Sequence, residues 1–231
     1  MMVDIGIIGA LTEEVEGIIN MLSEHSSETV GMITFHTGVI CGKRIAIAKC
    51  GVGKVFAAIC CEAMIIKYSP ALIVNTGVGG AIKAGLKTAD IVIADRLCQH
   101  DMDTSPLGDP KGLISGINTI YFDADKRAVQ ILKRSADELF LSATVGTVAS
   151  GDRFVADASD KKRIAEEFSA IACEMEGGAI AHTAFVNGTA FAVVRAISDS
   201  ADGDATMDYP TFLPIAAKNS TELTLALIRE Y

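Results

Sequence analysis

The sequence predicts an α/β fold built on a mostly parallel sheet, with helices packed on its faces. Three observations lead there. Short runs rich in Val and Ile alternate along the chain with longer stretches of helical period. Half of the 231 residues are apolar and 21% are charged, which supplies one substantial core and argues against disorder. No Pro/Ser-rich linker, charge run or internal repeat divides the chain, so residues 1–231 read as a single domain.

Strands are expected at Val3–Gly9, Thr29–Thr37, Lys43–Cys50, Leu72–Asn75, Ile91–Ala94, Ala143–Ala149, Ile171–Cys173 and Ala190–Ile197. That is more than a simple doubly wound sheet needs, so a mixed or partly closed sheet is expected. Helices are expected at Glu13–Leu22, Lys54–Lys67, Asp125–Leu139, Asp160–Phe168, Met175–Val186 and Pro210–Arg229. The first carries Val15, Ile18, Ile19 and Leu22 on one face, and Asp208 stands as a cap ahead of Pro210 in the last. The stretch 98–118 has no clean period and several turn formers, the mark of a functional loop or an interface.

With 20 basic against 29 acidic residues, the formal charge is −9, which disfavours nucleic acid and anionic membranes as partners. The cluster Lys161, Lys162 and Arg163 is expected on the exposed first turns of a helix. Six cysteines lie in apolar segments without CxxC spacing and read as small hydrophobes. The opening MMVDIGIIGAL lacks the basic lead of a signal peptide, and no apolar run reaches the roughly 18 residues of a membrane span. A cytoplasmic protein is expected. His25, His36, His100 and His182 show no ligand spacing, and the aspartates after Ser198 fail the calcium-loop pattern. No metal and no cofactor are expected.

Three carboxylates each follow an apolar run: Glu14 in IGIIGALTEEV, Glu176 in CEMEGGAIAH and Asp199 in RAISDSADGD. At one edge of a sheet they supply a general base, a general acid and an acceptor for sugar hydroxyls, a combination suited to hydrolysing a glycosidic or N-glycosidic bond. Each also has a plainer reading, since acidic residues in a first turn complement the helix dipole. Glu174 and Glu176, two apart, must point in different directions, and Arg195 is the natural partner for Glu174. NTGVGG reads as a strand entering a glycine-rich turn. It lacks the dinucleotide fingerprint, and KCGVGKVF has Phe56 in place of a third glycine and no Walker serine or threonine. These turns suit a small uncharged ligand better than a pyrophosphate.

IGIIGALTEEV, CGVGKV, NTGVGG, SGDRFV, CEMEGGAIAH and VVRAISDSAD, followed by the final helix, occur in one order at specific spacings. In that set the chain resembles the 5'-methylthioadenosine/S-adenosylhomocysteine nucleosidases of the nucleoside phosphorylase superfamily, over essentially its whole length. The resemblance implies a three-layer αβα sandwich around a mixed, partly barrel-like sheet, a homodimer, and adenine nucleosides as small-molecule substrates. It implies that Glu14 activates water, Asp199 protonates adenine N7 and Glu176 grips the ribose hydroxyls. Phe154 and the backbone of Val155 correspond to positions that stack on and read adenine, Met175 lies beside the ribose, and Tyr209 falls near the sugar's 5' end. Val52, Val78, Gly79, Gly80, Glu174 and Ser198 complete the implied substrate-binding set. Leu107 and Leu113 are expected to cross the dimer to the 5'-substituent in the other subunit's site.

The chain departs from the family pattern at Val78, where many members carry serine, and in the loop LGDPKGLISGI. Three other readings stand beside hydrolysis of these two nucleosides: a purine nucleoside phosphorylase, an aminodeoxyfutalosine nucleosidase, and a nucleoside-binding protein without catalysis. A phosphorylase needs cations to hold phosphate, and the first turn offers glutamates instead.

Overall fold

The computed structural model describes residues 2–199 and 205–231, with side chains described to residue 199 and again from 215. The chain runs β1 (Ile5–Gly9), α1 (Thr12–Ile19), β2 (Ser23–Val30), β3 (Ile33–Ile40), β4 (Lys43–Lys49), α2 (Lys54–Tyr68) and β5 (Leu72–Ala81). It continues through β6 (Ile91–Gln99), β7 (Phe122–Asp123), α3 (Lys126–Glu138), β8 (Ala143–Ser150), α4 (Ala158–Phe168), β9 (Ala170–Glu174), α5 (Gly177–Val186), β10 (Ala190–Asp199) and α6 (Ala205–Glu230).

Five strands close into a barrel in the order β10-β6-β8-β9-β5, the ring completed by the parallel pairing of β5 with β10. The β10–β6 and β9–β5 pairs are antiparallel and the other three parallel, so the sheet is mixed. From the first half of β5 the sheet also extends outward through β1, β4, β3 and β2. Helices cover both faces, which explains why β1 is buried at every residue and reads as a continuous apolar run. On one side α2 and α5 contribute Cys60, Cys61, Met64 and Ile180 to the core; on the other, α1, α3 and α6 contribute Ile18, Leu132 and Leu223.

Several boundaries differ from the sequence-based expectation. The strand anticipated at Thr29–Thr37 is two strands, because Gly31, at φ +62°, and Met32 form a two-residue hairpin loop between Val30 and Ile33. The outer strand β2 is polar and exposed throughout, so no alternation announces it. β5 continues six residues past Asn75, and NTGVGG is strand rather than turn. None of its glycines has a positive φ, and β10 pairs with it from Leu72 to Gly80. α6 begins at Ala205, five residues ahead of Pro210; Asp208, the expected cap, lies outside the residues with described side chains. Among the described residues no helix is long and apolar enough to cross a membrane.

The register delivers the chemistry to one place. Gly80 near the end of β5 is paired with Cys173 of β9 on one side and with Asp199 of β10 on the other. β1 ends alongside, at Gly9, and hands the chain to α1.

Candidate active site

Glu14 owes its position to the start of α1. Beyond β1 the backbone is extended at Leu11 and then coils, which leaves the first amide groups of the helix without carbonyl partners. The Glu14 side chain folds back over the residues just ahead of the helix: Oε2 accepts from the amides of Ala10 (2.7 Å) and of the N-cap Leu11 (2.9 Å). Its Oε1 accepts from the amide of Val78 on β5, at 3.0 Å. The same carboxylate therefore caps a helix and faces the sheet edge. Burial raises its pKa, against the pull of the Arg195 charge and the three amides.

Glu174 and Glu176 divide their work by direction. Glu174, at the end of β9, binds the Arg195 guanidinium and the Ser150 hydroxyl, and accepts from the amides of Glu176 (2.9 Å) and Gly177 (2.7 Å). Burial opposes its ionisation, but Arg195 and these donors outweigh burial and hold its pKa below the usual carboxylate range. Arg195 also reaches Oδ1 of Asn75 and the carbonyls of Asn75 and Val194, so the pair braces β5, β9, β10 and the start of α5 together. Glu176 is the residue before the first turn of α5, and its Oε1 accepts from the amide of Gly53 at 2.8 Å. Gly53, at φ +101°, belongs to the CGVGKV turn. Burial, then the neighbouring charge of Glu174, pushes the Glu176 pKa up to about 7.

Asp199 closes β10. Its Oδ1 accepts from the Ser198 hydroxyl at 3.0 Å, and its Oδ2 lies 3.3 Å from Nζ of Lys161. The basic cluster on α4 is thus not wholly solvated, as its charge alone suggested. Lys161 is in helical phase with the buried Ile164 and Phe168 and points inward, while Lys162 and Arg163 remain outside.

These elements surround a partly open cavity. Glu14, Val52, Val78, Gly79, Gly80, Phe154, Val155, Glu174, Met175, Glu176, Ser198 and Asp199 all line it. So do Ala10, Leu11, Arg153 and Cys173, which sequence reasoning did not single out. Leu107, 84% exposed on a short 3-10 turn, and Leu113 are not among the lining residues of their own chain's cavity. Tyr209 falls in α6 among the residues whose side chains lie outside the described set. Beside the cavity, Arg195 is bound to Glu174, Lys161 to Asp199 and Arg153 to Asp160. Among the described residues no three His, Cys, Asp or Glu side chains are placed to hold a metal ion.

Comparison with known proteins identifies the family. Residues 4–229 match the family model described as the phosphorylase superfamily. The 5'-methylthioadenosine/S-adenosylhomocysteine nucleosidase of Actinobacillus succinogenes is 35% identical over 227 residues, 98% of each chain. The crystal structure of the enzyme of that name from Neisseria meningitidis, in complex with methylthio-immucillin-A, superposes with a TM-score of 0.95 at 31% identity over 99% of each chain. A futalosine hydrolase from Helicobacter pylori superposes with a TM-score of 0.94 at 32% identity, covering 100% of this chain and 99% of that one. The chain belongs to the phosphorylase superfamily and, within it, to the family of the 5'-methylthioadenosine/S-adenosylhomocysteine nucleosidases.

Proposed function

We propose that the protein hydrolyses the N-glycosidic bond of 5'-methylthioadenosine and S-adenosylhomocysteine, and of 5'-deoxyadenosine as a smaller relative, releasing adenine and the 5'-substituted ribose. The observation that carries this reading is the convergence of Glu14, Glu176 and Asp199 on one cavity that Phe154 and Val155 also line. Cleavage of C1'–N9 leaves positive charge on the ribose and negative charge on the base. Glu14 takes the proton of the attacking water as its oxygen bonds to C1', Glu176 accepts the ribose hydroxyls, and Asp199 protonates N7 as the bond electrons pass to the base. Phe154 stacks on the purine and the Val155 backbone reads its edge. Val78 places an apolar side chain against the cavity, and Glu14 is served at that position by a backbone amide.

The carboxylate partners of Arg153, Lys161 and Arg195 favour water over phosphate as the nucleophile. The likeness to a futalosine hydrolase supports a second reading in which aminodeoxyfutalosine is shared or preferred at the same site. The working unit is a homodimer. Val55, Ile59 and Ile66 on α2 and Phe185 and Val186 on α5 expose a contiguous apolar face that continues from the CGVGKV turn at the cavity's edge. A second copy on that face brings Leu107 and Leu113 to the open 5' end of the site.

Adenine release from 5'-methylthioadenosine, measured without phosphate and then with millimolar phosphate, tests the assignment. Release without phosphate, together with free methylthioribose, is the expected result. Release only with phosphate, giving a sugar 1-phosphate, overturns it in favour of a phosphorylase, and release only from aminodeoxyfutalosine moves the substrate to the second reading.

A further inference from the structure

A carboxyl group that protonates adenine must hold a proton when the nucleoside arrives, yet Asp199 sits against an ammonium. Lys161 and Asp199 are both about 3% exposed, with Nζ 3.3 Å from Oδ2. The two side chains form a buried ion pair, in which each charge offsets the cost of burying the other. In that pair the transferable proton is on the amine, so the proton that Asp199 delivers must reach it from a neighbour.

Among the described groups around Asp199 the donors can be compared directly. The Ser198 hydroxyl donates a hydrogen bond to Oδ1 but is not an acid in this range. The Cys173 thiol on β9 is pushed up to about 12 by burial and by the Asp199 charge, and so keeps its proton. Glu174 and Arg195 are committed to one another, and Glu14 and Glu176 are bound to backbone amides of other segments. Lys161 alone among them carries a transferable proton on an atom in contact with the Asp199 carboxylate. Its presence there is built into the helix, since Ile164 and Phe168 share its buried face of α4.

We propose that Lys161 is the relay partner of Asp199, holding the carboxylate in place and passing it the proton that the departing adenine takes. This rests on the reading of Asp199 as the acid. As the C1'–N9 electron pair moves onto the base, the ammonium of Lys161 gives one proton to Asp199 and Asp199 passes it to N7, leaving Asp199 a carboxylate and Lys161 a neutral amine. The water proton goes to Glu14. Once products leave, solvent takes the proton from Glu14 and returns one to Lys161 through Asp199, so the cycle balances.

Two variants separate a relay from a structural tie. K161R keeps a cation against Asp199, but a guanidinium does not release its proton in water. K161M keeps the apolar stem and removes both the charge and the proton, so that a proton for adenine must then come from solvent. Adenine release by K161R is expected to fall roughly 100-fold at every pH, the scale of acid catalysis. K161M is expected to fall by a similar factor at about pH 8.5 and to recover as the pH is lowered toward about 5.5. Melting curves confirm that each variant is folded. Parental rates in K161R at any pH, in K161M at about pH 8.5, or equal losses in both at all pH overturn the relay. D199N is assayed alongside. If it releases adenine at the parental rate, the reading of Asp199 itself fails; if it is inactive while K161R works normally, only the role of Lys161 fails.

Discussion

A Cβ atom added to Gly77 would stand 2.8 Å from the carboxyl carbon of Glu14 and closer still to Oε1. The glycine is the space into which the carboxylate fits, and the next residue along the strand, Val78, supplies the amide that holds it. Gly80 stands in a similar relation to Asp199, whose Oδ2 would lie 3.0 Å from an added Cβ. Gly77 and Gly80 of NTGVGG thus serve close approach by side chains of other elements rather than chain reversal.

Gly77→Ala should therefore move Glu14 rather than the strand. Alanine is compatible with the extended backbone of β5, so overpacking is expected to cost only about 1–3 kcal/mol of stability. The rate should suffer more: if Glu14 is the base proposed for it, its displacement loses roughly 100-fold in kcat. Adenine release and a thermal melt measured together check the split, and a variant with parental kcat would show that Glu14 does not need its present position.

Glu176 makes both affinity and stability depend on pH. Burial beside Glu174 pushes its pKa to about 7, while its ordinary value is 4.5. If the ionised form accepts the ribose hydroxyls, nucleoside affinity should weaken as pH falls below about 7, and Glu176→Gln should bind more weakly with that dependence gone. Stability runs the other way. A carboxyl with a raised pKa in the fold favours folding fully below its unfolded value, and that contribution is lost as pH rises through the folded value. Relative to the parent, Glu176→Gln should therefore gain up to roughly 3 kcal/mol between pH values below and above this window. Denaturant melts at both ends check the sign.

Much of this was legible in the sequence, for identifiable reasons. β1, β4 and β10 are buried runs of Val, Ile and Ala, and the carboxylates that follow β1 and end β10 stand where a parallel sheet gathers its ligands. Glu14 hid its placement, because a helix-capping glutamate and a cavity glutamate carry the same local signature and only the Val78 contact distinguishes them. NTGVGG misled because glycines usually mark turns. The reason for Gly77 and Gly80 lies on other elements, in Glu14 of α1 and Asp199 of β10, and sequence neighbours cannot show it. Lys161 was readable from its phase with Ile164 and Phe168, but the adjoining Lys162 and Arg163 drowned that signal in a run of charge.

The Glu174–Arg195 pair predicts a coupled loss. Arg195→Met leaves Glu174 buried and charged with only neutral donors, which typically costs about 3–5 kcal/mol. Glu174→Gln in the same chain should recover part of that, since the uncompensated charge is gone. A double-mutant cycle by denaturant unfolding measures the recovery, and additive losses would mean that the two residues are stabilised independently.

The dimer proposed on the outer face of α2 and α5 predicts how assembly would reach the chemistry. Val55 is 69% exposed and Ile66 is 72% exposed, and Ile59 lies between them on a helix whose other face is already buried against the sheet. A charge at Ile59, as in Ile59→Glu, removes nothing from the core of one subunit but opposes burial against a second. The variant should sediment as a folded monomer. If Leu107 and Leu113 complete the 5' end of the neighbouring site, it should also show a raised KM for 5'-methylthioadenosine, roughly tenfold for the loss of a small apolar contact. Adenine, which has no 5' group, should inhibit monomer and parent alike. A monomer with parental KM would place the 5' pocket within a single chain, and a variant that stays dimeric would place the interface on another face.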